Sequence, residues 1–86
     1  MLVKITRPKF GKGISDVCET INVSRTGIYF HTEQGYGVGE KVEIVMPYHP
    51  DSEGIRIAGR VVRVDNLKGT TRKGVAILLL IQDLKG

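Results

Sequence analysis

The sequence predicts an all-β fold, a small six-stranded antiparallel β-barrel, and three observations predict it. Short apolar runs alternate with polar residues at a period of two, as on a strand with one buried face. The 11 glycines and three prolines fall mostly between those runs, as punctuation. One long run, Ile55 to Asp65, changes phase midway: Ile55, Ile57 and Val61 share one parity, while Val62 and Val64 are apolar on either side of Arg63. A β-bulge or a sharp coil produces such a change where a barrel strand bends.

Leu2 to Arg7 alternates and forms the first expected strand, closed by Pro8, which cannot donate to a ladder. Lys9 to Ser15, with Gly11 and Gly13, is expected as a flexible loop. Val17 to Asn22 is the second strand, with Val17, Glu19 and Ile21 on one face and Cys18, Thr20 and Asn22 on the other. Ile28 to Thr32 is the third, and the glycine-rich Glu33 to Gly39 turns the chain. Glu40 to Met46 is the fourth, with Val42, Ile44 and Met46 inward; Pro47 to Gly54 is a loop with strong breaker signals. Ile55 to Asp65 is the fifth strand, and Asn66 to Thr71 a turn. Lys73 to Ile81 is the sixth. Its apolar run from Val75 to Ile81 is too uniform for a one-sided strand, so it is either buried on both faces or meets another chain. Gln82 to Gly86 reads as the start of a helix or a tail. No linker and no internal repeat divides residues 1–86, which read as one domain.

The composition, 41% hydrophobic and 26% charged, is ordinary globular usage. No apolar run approaches the ~20 residues of a membrane helix, and no signal-peptide core opens the chain; cytoplasmic residence is the expectation. A lone cysteine, Cys18, excludes an intrachain disulfide and any metal site built on a cysteine pair. The net charge of +4 is spread along the chain and suits an anionic partner or a solvated surface.

The segment with the most chemistry is Asn22-Val23-Ser24-Arg25-Thr26-Gly27, between the second and third strands. Asn22 and Ser24 are two residues apart, so on extended chain their side chains leave one face, and both donate and accept hydrogen bonds. Gly27 is expected to supply a positive φ for a tight reversal. Together they read as a polar shelf at the end of a hairpin. By parity Arg25 points away from the shelf.

This segment resembles the Asp/Asn-x-Ser-x-x-Gly motif of the PilZ domain, a small β-barrel that binds the bacterial second messenger cyclic di-GMP. Asn22, Ser24 and Gly27 match it position by position. The likeness continues through Val38-Gly39-Glu40, a strand ending in Pro47, Gly59 to Val64, and Gly74-Val75-Ala76. The family's second signature, Arg-x-x-x-Arg ahead of the first barrel strand, has no counterpart before Asn22: Arg7 has Gly11 four residues on. In the family those arginines clamp the phosphates and stack on the guanines. The expectation is therefore a chain cut just after the arginines, with a truncated C-terminal helix, or a divergent member that binds nucleotide poorly.

The resemblance implies a regulatory binding module with no enzyme activity and no cofactor. Its ligand is cyclic di-GMP, and it signals to an attached effector domain or a partner protein. Asn22 either reads a guanine edge or holds the turn by an Asx bond, and Ser24 carries the same two readings. Gly27 is structural in both. Arg60 and Arg63 are candidates for the phosphates, or members of a solvated strand face. An interaction domain that binds protein and not nucleotide is the first alternative, and a homodimer through the sixth strand fits it. A basic barrel for RNA or single-stranded DNA is the second. Such readers display paired aromatics, and with only three Tyr and two Phe no strand here does. The residues themselves argue against catalysis: His31 and His49 have no partner in the pattern, Asp51 and Glu53 share a loop, and Gly35, Gly37 and Gly39 precede no helix that could bind phosphate.

Overall fold

The computed structural model describes residues 1–8, 14–51 and 54–80. Of the expected loop from Lys9 to Ser15, residues 9–13 lie outside the described residues, as does the expected helix or tail over 82–86, while Ile14 and Ser15 belong to a strand. Six strands follow in order: β1 (Leu2–Arg7), β2 (Ile14–Val23), β3 (Gly27–Thr32), β4 (Lys41–Met46), β5 (Ile55–Asn66) and β6 (Lys73–Leu79). They close into one antiparallel barrel in the order β1-β2-β3-β6-β5-β4, with β4 pairing back onto β1. Among the described residues there is no α-helix. The strand bounds differ from expectation mainly at β2, which begins at Ile14 because Ile14 to Asp16 extend the ladder opposite Ile5 to Arg7.

The inward residues are those that period-two patterning selects. Val3, Ile5, Ile28, Phe30, Val42, Ile44, Val75 and Ile77 are buried, and Phe30 is the largest side chain wholly removed from water. Burying such a side chain contributes roughly 1.5–3 kcal/mol. The sixth strand is one-sided within this chain. Val75, Ile77 and Leu79 face the core, while Leu78 is 42% exposed, so burial on both faces by the barrel alone does not occur. A barrel this small has a single interior, and the alternate residues of β6 face outward.

An ion pair closes one end of the core. Arg7 at the end of β1 donates through Nε to Glu40 Oε2 at 2.6 Å and through Nη2 to Glu40 Oε1 at 2.9 Å. The same nitrogen reaches the Gly35 carbonyl, and Glu40 Oε1 accepts the Gly37 amide. The guanidinium lies over the Tyr36 ring, 4.2 Å from its centroid. Both charges are buried, so each depends on the other for the hydrogen bonds that water would otherwise supply. The Gly35 to Gly39 loop is thus pinned at Gly35 by Arg7 and at Gly37 by Glu40.

Candidate functional site on the outer barrel wall

Two β-bulges decide which side chains face out. In β2 the register runs Thr20↔Phe30 and then jumps to Asn22↔Tyr29, so Ile21 is the extra residue. Thr20 therefore opposes an inward residue and Asn22 an outward one. Regular alternation would have kept Asn22 on the Cys18 side, which is the core side; the bulge turns it out. In β5 the register runs Val61↔Ile77 and then Arg63↔Ala76, so Val62 is the extra residue. This bulge is where the sequence pattern changes phase.

The two bulges flank the β3–β6 pair, and together they assemble one row. Asn22 pairs with Tyr29, Tyr29 with Ala76, and Ala76 with Arg63. The row crosses four adjacent strands, about 14 Å at the usual spacing. The next row holds Gly27, Leu78 and Arg60. An open groove of about 270 Å³ lies here, lined by Asn22, Ser24, Gly27, Tyr29, Val62 and Leu78 among others. The structure thus brings Asn22, Ser24 and Gly27 to one groove and puts Arg63 and Arg60 on the same outer wall beside it. Both arginines are exposed. Arg63 Nε donates to Asp65 Oδ2 at 3.1 Å, and its guanidinium lies 5.6 Å from the Tyr29 ring centroid.

Ser24 lies past the end of β2, in the hairpin turn, and its local role is plain. Its Oγ accepts the Gly27 amide at 3.2 Å and the Thr26 amide at 3.3 Å, while its own amide donates to the Gly27 carbonyl at 2.9 Å. Asn22 has no such duty: its side chain makes no hydrogen bond among the described residues. Gly27 departs from expectation. It does not adopt a positive φ; among the described glycines Gly39 (φ 93) and Gly69 (φ 77) do. Gly27 is needed for a different reason, since a Cβ there would lie 2.9 Å from the Ile77 carbonyl oxygen on the neighbouring strand. Arg25 is exposed in the turn.

Arg7, the arginine nearest the motif on its N-terminal side, is committed to Glu40 and faces the other end of the barrel. A second polar cluster lies inside the wall: Asp16 Oδ2 accepts Thr32 Oγ1 at 2.8 Å and Tyr36 Oη at 3.1 Å. Burial, with Asp16 nearby, pushes the Cys18 thiol up to about 12 and the Tyr36 phenol well above its usual range. A thiol held protonated in this way is a poor nucleophile. Among the described residues no group of three or more His, Cys, Asp or Glu could hold a metal ion, and no helix is long and apolar enough to cross a membrane. Sequence reading passed over Tyr29, whose signal was its place between two inward residues, Ile28 and Phe30. It also passed over the Arg7–Glu40 and Asp16 clusters, whose members are far apart in the chain.

Fold and site together define a closed six-stranded β-barrel that carries an Asn-x-Ser-x-x-Gly hairpin on its outer wall. The chain belongs to the PilZ domain family, whose sequence profile matches residues 9–84. PilZ is a family of binding and regulatory domains, in general receptors for cyclic di-GMP, and not a family of enzymes. No curated protein and no solved structure matches the chain.

Proposed function

We propose that this domain is a cyclic di-GMP receptor module in which the row from Asn22 to Arg63 forms one wall of the nucleotide site. The observation that carries the proposal is the row itself. Two independent bulges deliver an uncommitted amide and an arginine to either side of an aromatic ring. Cyclic di-GMP offers guanine edges for an amide, ring faces for stacking, and phosphates for a guanidinium. Asn22 reads a base edge, Ser24 and Gly27 hold the hairpin that presents it, and Arg63 and Arg60 face the phosphates. Arg63 is held beside Tyr29 by Asp65 and is the better placed of the two.

Binding by this chain is expected to be weak. In the family an Arg-x-x-x-Arg segment clamps the nucleotide, and each charge-assisted contact contributes roughly 1.5–3 kcal/mol. Isothermal titration of the chain, beside a version extended upstream with an Arg-x-x-x-Arg segment, tests the proposal. Weak binding that the extension tightens by about a hundredfold supports it. No binding by either chain overturns it.

A second reading is favoured by one observation. Leu78 and Leu80 are 42% and 39% exposed beside the groove, and Val62 is 49% exposed. Such a patch fits a protein partner, an effector domain or a second copy of the chain, docked next to the nucleotide.

A further inference from the structure

Tyr29 is unusual among the outward residues of β3 in how it lies. Gly74 of β6 points outward, as do Ala76 and Leu78, yet it is buried. Its cover is the Tyr29 side chain. A Cβ built on Gly74 would fall on the Tyr29 hydroxyl and would lie 2.6 Å from Cζ. The ring therefore reclines across the β3–β6 ladder in the space a side chain at 74 would fill. His31 packs against it in a T-shaped contact, with ring centroids 5.5 Å apart and planes at 84°, and the Arg63 guanidinium lies over it, 5.6 Å from the centroid. Tyr29 also lines the groove, with Asn22 and Val62 among its other walls. A glycine beneath it, a T-shaped imidazole contact and a tethered cation fix the orientation of one aromatic plane that starts in the row and reclines toward Gly74.

We infer that the Tyr29 ring is a stacking wall for a guanine base of the cyclic dinucleotide, and that Gly74 sets it in place. The inference rests on the receptor reading above and adds to it the residue that contacts a base face. A preset aromatic loses little freedom when a base stacks on it, and stacking of a base on an aromatic side chain accounts for about tenfold in affinity, often more. Asn22, the cross-strand neighbour of Tyr29, is then within reach of the edge of the same base. The hydroxyl is not needed for stacking. Gly74 touches no ligand and acts only through the ring.

The test is an NMR titration of the full chain with cyclic di-GMP, following the Tyr29 ring protons, in wild type and four variants. The wild-type ring signals are expected to move upfield, as they do when a purine stacks above them. Tyr29→Phe keeps the affinity. Tyr29→Leu and Gly74→Ala each weaken it on the order of tenfold, and the pair combined is no weaker than Tyr29→Leu alone, because both remove one wall. A ring that merely covers Gly74 would alter stability in these variants and leave the affinity of the folded protein unchanged. If wild type binds while Tyr29→Leu binds equally well and the ring signals stay still, the stacking wall is overturned and the receptor reading survives. If wild type causes no shift at any concentration, the receptor reading fails and takes the inference with it. Should Gly74→Ala fail to fold, the ring shifts and the Tyr29→Leu and Tyr29→Phe affinities still decide the matter.

Discussion

Asn22 and Ser24 carry the same two readings in the sequence and differ in their surroundings. Ser24 spends its hydroxyl on the turn, accepting two backbone amides. Ser24→Ala is expected to lower stability by about 1 kcal/mol, the net worth of an ordinary hydrogen bond, measurable by denaturant unfolding. Asn22→Ala is expected to leave stability within about 0.5 kcal/mol and to weaken nucleotide binding, so the two halves of the motif separate in one pair of measurements. The contrast was not legible in the sequence, where both residues carried the turn reading and the ligand reading alike. The Arg7–Glu40 pair is the opposite case, with both charges buried. Glu40→Ala should cost about 3–5 kcal/mol, because it takes the opposite charge from a buried guanidinium; a loss under about 1 kcal/mol would show that water reaches Arg7. Cys18 carries a pH dependence. Burial, which disfavours the thiolate, pushes its folded thiol up to about 12 from an ordinary value of 9.0. The folded state therefore holds this proton where the unfolded state has lost it. The contribution is fully present below pH 9 and is lost as pH rises toward 12. Unfolding free energy should fall across that window, and Cys18 should resist thiol reagents at pH 8 until the barrel opens.

The bulges show what a strand's pattern reveals and what it hides. The β5 bulge was legible because its inner line is strongly apolar: Val61 and Val64 cannot both face inward without an extra residue between them, and Val64 packs on the core. The β2 bulge was hidden because the inner line of β2 is Asp16, Cys18 and Thr20, while Val17 and Ile21, on the outer line, are 50% and 59% exposed. When the outside of a strand is more apolar than the inside, a phase change leaves no mark in hydropathy. The hidden bulge is the one that places Asn22. Deleting Ile21 would restore the regular ladder with Asn22 next to Thr20, still opposite Tyr29 and still facing out; the account expects a folded barrel with the circular dichroism of the parent and a retained nucleotide response. Gly27 belongs to the same hairpin. Gly27→Ala should destabilise by roughly 1–3 kcal/mol, since the new methyl meets the backbone oxygen of Ile77, which cannot move aside as a side chain can.

Six strands and a single apolar interior could be read from the alternation alone, and so could the outward placement of His31. Closure could not: the pairing of β4 with β1, and of β3 with β6, depends on contacts between residues far apart in sequence. The uniform run of β6 marked a real feature without showing which. Its inner face fills the core, and its outer face is left as Leu78 and Leu80. The account expects that face to be covered in solution, by a second copy or a partner. Sedimentation velocity of the chain alone should show concentration-dependent dimer that Leu78→Glu abolishes; a monomer at high concentration would assign the face to a different protein. The central claim is that the outer wall, and the row from Asn22 to Arg63 within it, is the nucleotide site. An amide-resolved NMR titration with cyclic di-GMP tests it most directly. The account predicts saturable shifts centred on Asn22, Tyr29, Ala76 and Arg63, fading toward β1 and β4. Shifts centred elsewhere, or none as the nucleotide is raised to millimolar concentration, would contradict it.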